Sequence, residues 1–344
     1  MSVSMRDVAA LANVSQRTVS NVVNDFVHVK PDTRARVQRA IEMLGYKPNL
    51  SARKLRGGRS GLVALALPEI AAPYFAELAD RIQQHAAERD QVILIEQTGG
   101  TRQREISVLS GYPSAMIDGL IINPNSITSE DLAEYGDGVP TVLLGERIDL
   151  TADSVGGRFA HISIDNVEAA RVATDHLIGL GRTRIAAIAA VEPLSASAGP
   201  GVRRTQGYLS ALHSAGLSSP PELRVSVKQW KAPDGFAAVN DLLDRGVKFD
   251  ALFCFNDTLA FGALSALHSQ GIRVPEDVAI LGWDDTAESR FSYPPLTTIA
   301  PAVREIAELS VDRLLRLIDG DESAIEDVQV SFELAIRGST VSRP

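Results

Sequence analysis

The chain has few cysteines and few aromatic residues, and it has no long hydrophobic run. Its 344 residues include one cysteine, and aromatic residues make up 5% of the composition. A single thiol can form no intrachain disulfide, and because Cys254 lies in the apolar run Ala251–Phe255 we expect it to be a buried strand residue. The longest apolar stretches, such as Gly61–Pro68, are far shorter than the roughly 20 residues that span a bilayer. We therefore predict no membrane partner.

Targeting and catalytic motifs are missing as well. The chain does not begin with charged residues followed by an apolar run, so we expect no secretion signal and a cytoplasmic protein. It contains no His-Glu-x-x-His, no Gly-x-Ser-x-Gly and no phosphate-loop motif. The match of Ser51–Lys54 to the Ser-x-x-Lys pattern stands alone in a basic segment, so we treat it as chance. The sequence therefore predicts neither an enzyme nor a cofactor.

The charge of the chain is divided unevenly along its length. Hydrophobic residues make up 45% of the chain and the net charge is −9, which fits a soluble protein with two or three cores. Residues 1–60 hold 11 Lys or Arg and 4 Asp or Glu, a net of +7, which leaves −16 for the remainder. A basic head on an acidic body would attract phosphate at one end only.

The basic head has the pattern of three short helices. Ser4 and Asp7 can cap a first helix over about Met5–Ala12, with Val8, Leu11 and Ala12 as its apolar face. After a break at Asn13–Ser15, Ser15 can cap a second helix over Gln16–Asn24. A third helix starts at Pro31, directs Val37, Ile41 and Leu44 inward, and stops at Gly45.

The second helix has an apolar face and a polar face. Val19, Val22 and Val23 would pack on the first helix, and the opposite face carries Gln16, Arg17, Ser20 and Asn21. Arg, Gln and Asn side chains are those that hydrogen-bond base edges in a major groove. The alternative for a generic amphipathic pair is a three-helix bundle with a solvated polar face.

The order of residues in the head closely resembles the signature of the lactose/galactose repressor family. The resemblance covers Asp7–Asn24, Tyr46–Asn49 and Ala52–Leu55 and continues along the chain. It implies that the second helix enters the major groove, with Gln16, Arg17 and Asn21 as base readers. Many members have Arg at the position of Asn21, so the operator sequence cannot be transferred. The residues that the resemblance assigns to phosphate contacts are Ser15, Thr18, Ser20 and Asn24.

The segment after the head is short enough to depend on a partner for its order. Leu50–Arg56 could form two helical turns, fewer residues than an isolated helix needs. The resemblance implies a hinge helix that forms as a pair on DNA, where Leu55 wedges into the minor groove beside Ala52. Arg53 and Lys54 would then bind backbone phosphate. The alternative is a flexible basic linker.

The acidic body alternates strand-like and helix-like stretches, which predicts parallel sheets covered by helices on both faces. The predicted strands are Leu62–Leu67, Val92–Gln97, Leu120–Asn123, Thr141–Leu144, Arg184–Ala189, Ala251–Phe255, Val278–Gly282 and a final strand Val328–Ile336. More than 270 residues are enough for two lobes. The predicted fold class is an all-α helix-turn-helix headpiece followed by an α/β body of two doubly wound parallel-sheet lobes.

The resemblance implies a periplasmic-binding-protein arrangement for this body. The chain would cross between the lobes near residues 162, 291 and 322. The predicted parts are a DNA-binding domain (1–48), a hinge and linker (49–60) and a body (61–344), with lobe 1 at about 61–162 and 292–322 and lobe 2 at about 163–291 and 323–340. Ligands of such folds bind in a cleft at the strand ends.

Seven residues are candidates for this cleft by the same resemblance. Tyr74 and Phe75 would supply apolar contact, or alternatively belong to the core. Arg204 matches an arginine that anchors the effector by a bidentate hydrogen bond, and its alternative is an exposed ion pair. The other candidates are Trp230, whose alternative is ordinary packing, Asn256 and Asp284 at strand ends, and Asp165, which could equally cap the next helix.

The function implied is that of a DNA-binding transcriptional regulator, with repressor as the first interpretation. We expect a homodimer on a near-palindromic operator, since no apolar heptads follow the final predicted strand. Gly145 stands where many relatives carry an acidic residue, which leaves the effector open: a sugar or sugar derivative first, a nucleoside or purine second. The alternatives are a solute-binding protein without a DNA role and a doubly wound enzyme.

Overall fold

The computed structural model describes residues 3–23, 26, 28–46, 59–112, 116–145, 159–191 and 199–341. It divides into two compact units, Met1–Gly61 and Leu62–Pro344, here called the head and the body. The division lies one residue from the predicted start of the body. Within the described residues, no helix is both long enough and apolar enough to cross a membrane.

The described residues of the head form three helices, α1 (Met5–Ala12), α2 (Gln16–Val23) and α3 (Pro31–Leu44). α1 begins in a capping box in which Ser4 and Asp7 bond each other's backbone N–H groups. α3 ends at Gly45, which adopts a φ of 61°. The capping residues read from the sequence therefore mark the observed ends, because a cap depends on neighbours within one turn.

The core of the head is small and built from Val and Ala. Val8, Val19 and Val37 are fully buried in it, one from each helix. Placing Leu11 on the inner face was wrong, because its side chain is 49% exposed and Ala9 is buried instead. At 100° per residue, positions 8, 9 and 12 share one side of α1, and position 11 lies outside that arc.

In the part of the body that the structure describes, the strands form two six-stranded sheets. One, in lobe 1, has the order β11-β5-β4-β3-β1-β2, and the other, in lobe 2, has the order β12-β10-β9-β8-β6-β7. The recorded strand pairs are parallel, except that β12 runs antiparallel to β10. The strands are β1 (Leu62–Leu67), β2 (Val92–Gln97), β3 (Gly119–Ile122), β4 (Thr141–Leu144), β5 (Phe159–Ile164), β6 (Ile185–Ile188), β7 (Arg224–Val225), β8 (Ala251–Cys254), β9 (Ala279–Trp283), β10 (Thr297–Pro301), β11 (Asp327–Val330) and β12 (Phe332–Ala335).

Helices cover these sheets on both faces. Along β1, Val63, Leu65 and Leu67 belong to one buried cluster, whereas Ala64 and Ala66 belong to a second. Burial of alternate residues on opposite sides is what a parallel sheet between two helical layers requires. The helices of the body are α4 (Pro73–Ala87), α5 (Arg102–Gly111), α6 (Ser129–Tyr135), α7 (Asn166–Gly179), α8 (Pro200–Ser214), α9 (Ala232–Asp244), α10 (Asp257–Ser269) and α11 (Val303–Ile318).

The chain crosses between the lobes after β5, after β10 and between β11 and β12. The predicted crossings near 291 and 322 were therefore wrong by about ten residues. Thr297–Pro301 follows two prolines and was not recognised as a strand, yet it pairs with β9 in lobe 2 before α11 returns to lobe 1. The predicted final strand is two strands that lie in different sheets and are separated by Ser331.

Candidate ligand cleft and nucleic-acid interface

A cavity of about 780 Å³ lies within the body, where the carboxyl ends of both sheets meet. This volume is within the range of small-molecule sites. Its lining includes residues that directly follow or end strands, because parallel strands bring their carboxyl ends to one edge of a sheet. Those residues are Pro68, Gln97, Asn123 and Gly145 in lobe 1 and Asp284 and Pro301 in lobe 2.

The structure brings six of the seven predicted residues together at this cavity: Tyr74, Phe75, Arg204, Trp230, Asn256 and Asp284. Asp165 is not among the lining residues. Its carboxylate accepts a hydrogen bond from the Glu168 amide at 2.9 Å and so caps α7. The next residue, Asn166, which forms with Asp165 the polar pair at the crossing between the lobes, lines the cavity in its place.

Arg204 is held in place by groups of lobe 2. The side chain is buried, its Nε donates to Asn166 Oδ1 at 2.9 Å, and Nη1 donates to the Phe255 carbonyl. Its guanidinium lies 3.8 Å from the ring centroid of Trp283, a cation–π contact. These contacts hold the guanidinium, a planar group with five N–H donors, in one orientation at the wall of the cavity.

Asp284 directs a carboxylate into the cavity from an unusual backbone conformation. Its φ is 116°, in the region that disfavours residues with a side chain, at a cost on the order of 1–3 kcal/mol. Its own amide donates to the Ile299 carbonyl at 2.8 Å, but within the described chain no hydrogen bond to its carboxylate is recorded. Burial raises the pKa of Asp284, and the neighbouring Arg204 opposes this shift. Such a group is suited to hydrogen-bond a hydroxyl that enters the cleft.

Trp230 and Asn256 support each other on the lobe 2 wall. Asn256 caps α10 by accepting from the Leu259 amide at 2.8 Å, and its Nδ2 donates to the Trp230 carbonyl at 3.0 Å. The amide therefore keeps one N–H and one lone pair for a ligand. The Trp230 ring lies 6.3 Å from that of Phe255 and 5.5 Å from the Arg204 guanidinium.

Lobe 1 contributes two aromatic rings at the start of α4. Tyr74 and Phe75 meet edge to face, with centroids 5.2 Å apart, and both are half-buried. Burial raises the pKa of Tyr74, and the nearby Asp284 raises it further. The phenol is therefore neutral at pH 7 and available as a hydrogen-bond donor.

Three carboxamide residues on the lobe 1 wall were missed by the sequence analysis. Gln97, Asn123 and Asn125 line the cavity at the ends of neighbouring strands, a position that could have indicated them. The loop that carries Asn123 and Asn125 is held by Glu105, a fully buried carboxylate. Glu105 accepts from the amides of Asn125, Ser126 and Ile127 at 2.8, 2.9 and 3.0 Å.

One ion pair joins the two lobes at the cleft. Lys231 Nζ of lobe 2 lies 2.8 Å from Glu69 Oε1 of lobe 1, and both side chains are partly exposed. Both residues line the cavity. The pair spans the opening between the lobes, and its residues are too far apart in sequence to have been paired from sequence alone.

In the head, the polar face of α2 is open to solvent. Gln16 and Arg17 are exposed, and Thr18, Ser20 and Asn21 are half-buried. Ser15 caps the helix, because its Oγ accepts from the Thr18 amide at 3.1 Å and lies 2.9 Å from Thr18 Oγ1. The remaining candidates of the nucleic-acid interface lie outside the described residues: Asn24, Ala52, Arg53, Lys54 and Leu55.

Comparison with known proteins decides the family. The profile of bacterial regulatory proteins of the lacI family matches residues 4–49, and that of the periplasmic binding protein-like domain matches residues 174–340. The HTH-type transcriptional regulator CelR of Thermobifida fusca is 37% identical over 89% of this chain and 90% of its own length. The chain belongs to the LacI family. The resemblance read from the head and hinge segments is thereby confirmed.

Solved structures of the LacI family agree with the fold. The transcriptional regulator CelR–cellobiose complex is 31% identical, with a TM-score of 0.70 over 98% of this chain and 99% of that one. The lac repressor dimer bound to operator and the anti-inducer ONPF is 28% identical, with a TM-score of 0.83 over 99% and 100%. The predicted fold class is confirmed. The protein is a DNA-binding transcriptional regulator, and its LacI-family membership confirms that it is not an enzyme.

Proposed function

We propose that the protein is a repressor that binds a near-palindromic operator as a homodimer, and that a neutral saccharide in the cleft changes its affinity for that operator. A bacterial operator is reached from the cytoplasm, where we expect the protein to act. The observation that carries the effector assignment is the cleft itself, in which Arg204 and Asp284 face the aromatic rings of Tyr74 and Phe75. Sugars present hydroxyl groups to polar side chains and C–H faces to aromatic rings.

The charges of the cleft favour a neutral ligand over a phosphorylated one. Lys231 is paired with Glu69, the Arg204 guanidinium is near the Asp284 carboxyl group, and the third cation of the described lining, Lys228, is exposed to solvent. A phosphate would need several cations that are free of such partners. The cellobiose complex of CelR supports a saccharide for this cleft as well.

The homodimer is supported by an exposed aromatic pair in lobe 2. Phe291 is 87% exposed and Tyr293 is 96% exposed, beside a depression of about 450 Å³ lined in part by Phe261 and Phe291. Large apolar side chains that are exposed next to one another are typical of contact surfaces, whereas single ones are common on any protein. A second copy is the occupant that a two-fold symmetric operator requires, since a dimer presents two heads to two half-sites.

The DNA-binding proposal is tested by the side chains assigned to base reading. The double variant Arg17→Ala, Asn21→Ala should lose discrimination between a duplex enriched by the wild-type protein from a random pool and a scrambled duplex, as measured by fluorescence anisotropy. Arg36→Ala removes one exposed charge from α3 and should weaken binding to both duplexes alike. Full discrimination by the double variant would contradict the assignment of α2.

The effector proposal is tested by calorimetry and thermal shift with cellobiose, glucose, adenosine and hypoxanthine. We expect binding of a saccharide, and loss of that binding in Asp284→Ala with DNA affinity retained. Asp244→Ala, an exposed carboxylate of the same lobe, is the control. If only adenosine or hypoxanthine binds, the effector is a nucleoside or purine and not a saccharide. If Asp284→Ala binds the saccharide as the wild-type protein does, the saccharide binds at a different site.

A further inference from the structure

Asp257 is a buried carboxyl group next to the cleft that does not line it. It is fully buried, although its neighbours Asn256 and Thr258 both line the cavity. Its Oδ1 accepts from Thr298 Oγ1 at 2.7 Å. Its Oδ2 accepts from the backbone amide of Thr286 at 2.9 Å. The carboxyl group thus joins the start of α10 to β10 and to the turn after β9.

The turn that Asp257 contacts is the one that carries Asp284. Two successive residues of this turn, Asp284 and Asp285, have positive φ values of 116° and 51°. Residues with side chains keep such values only where the surroundings impose them. The Asp285 amide donates to Thr298 Oγ1 at 3.4 Å, so one hydroxyl group contacts both the turn and Asp257.

The backbone leaves space for this arrangement at Gly282. A Cβ atom at position 282 would lie 2.3 Å from Asp257 Oδ1. Gly282 belongs to β9, two residues before Asp284, so the carboxyl group occupies the volume that a side chain would take on this strand. The Asp257 carboxyl group therefore packs beside Gly282 of β9 and bonds the backbone of the turn that follows this strand.

We infer that Asp257 is a positioning residue of the effector site: through Thr286 and Thr298 it holds the strained turn that directs the Asp284 carboxylate into the cleft. The inference rests on the proposed function of the cleft and adds a residue outside the cavity to it. Asp257 touches no ligand in this scheme. Loss of its contacts lets the turn relax and withdraws Asp284 from the ligand.

The test uses the full chain and changes Thr298, whose replacement disturbs the core less than that of Asp257. Thr298→Val removes the hydroxyl group and keeps the β-branched shape, and Thr298→Ser keeps the hydroxyl group. Thr174→Val is the matched control, because Thr174 is also fully buried in lobe 2 but bonds only the Ala170 carbonyl within α7. Affinity for cellobiose is measured by calorimetry. We expect Thr298→Val to weaken it at least about tenfold, and Thr298→Ser and Thr174→Val to leave it near the wild-type value.

A second readout needs no ligand. The chain has two tryptophans, Trp230 and Trp283, and Trp283 immediately precedes Asp284. In a Trp230→Phe background, acrylamide quenching reports on Trp283, which is fully buried. Thr298→Val should increase the quenching of Trp283, and Thr298→Ser should leave it at the level of the Trp230→Phe protein.

The two readouts separate failure of this inference from failure of the proposed function. If the wild-type protein binds neither cellobiose nor glucose, the saccharide assignment fails, and the quenching of Trp283 still tests the role of Asp257. Wild-type affinity and wild-type quenching in a folded Thr298→Val protein would overturn the inference. If Thr298→Val and Thr174→Val lose the same amount of cellobiose affinity, the inference is also overturned, because the loss would then follow from general destabilisation of the fold.

Discussion

The two lobes line the cleft with different chemistry. Lobe 2 supplies Arg204 and Asp284, charged groups that are placed by hydrogen bonds, by a strained turn and by a buried carboxyl group. Lobe 1 supplies Tyr74, Phe75 and carboxamides on a loop held by Glu105. We therefore expect lobe 2, whose polar groups are held in one geometry, to orient a ligand, and lobe 1 to add contact area. Changes to lobe 2 should therefore have larger consequences than changes to lobe 1.

The stability of lobe 2 should depend on pH through Asp257. Burial raises its pKa from 3.8 to about 7, so the folded state holds the proton more tightly than the unfolded chain. The stabilisation relative to Asp257→Asn is therefore complete below pH 3.8 and disappears as the pH rises through about 7. The difference in unfolding free energy should change by up to roughly 4 kcal/mol over this range. Urea titrations between pH 4 and pH 9 measure it, and parallel curves for both proteins would contradict it.

Replacement of Arg204 should abolish most of the affinity for the effector. Arg204→Lys keeps the charge but loses the planar fork that bonds Asn166 and Phe255 and stacks on Trp283. The loss is expected to be about 2–3 kcal/mol, or roughly 100-fold, by calorimetry with the saccharide that the wild-type protein binds. Arg203→Lys, one residue earlier and outside the cavity lining, is the control. Similar losses in both variants would argue against a specific role for Arg204.

A change on the lobe 1 wall should have a smaller effect. Phe75→Leu removes the aromatic face and keeps an apolar side chain, which should cost about 0.5–1.5 kcal/mol of ligand affinity. The same calorimetric titration measures it. A loss as large as that of Arg204→Lys would show that the aromatic wall orients the ligand and would break the division between the lobes.

The ion pair between the lobes should contribute least. Lys231→Gln removes the contact with Glu69, and because both side chains are partly exposed the change in affinity should be within about 1 kcal/mol. The difference from the wild-type protein should shrink at 0.5 M NaCl, because salt screens exposed charges. Lys248→Gln, an exposed lysine of the same lobe, is the control. If the difference in ligand affinity between Lys231→Gln and the wild-type protein does not change with salt, Lys231 affects affinity by something other than its charge.

Much of the molecule could be predicted from its sequence. The ends of α1 and α3 follow from Ser4, Asp7, Pro31 and Gly45, and the strands β1, β2 and β4 were predicted at their observed bounds. Six residues that line the cleft were predicted from family resemblance, two of them, Asn256 and Asp284, at strand ends. The assignment of Asp165 was less successful, since a residue that ends a strand can either line the cleft or cap the next helix.

The ends of α1 and α3, most of the strands and the charge contrast between head and body follow from the sequence, because caps, periodicity and charge depend on neighbours in the chain. Tertiary structure alone decided which lobe receives β10, β11 and β12. It also decided that Lys231 meets Glu69 and that Asp257 meets Thr286 and Thr298. These contacts join residues that are far apart in sequence, and no local preference selects one long-range partner over another.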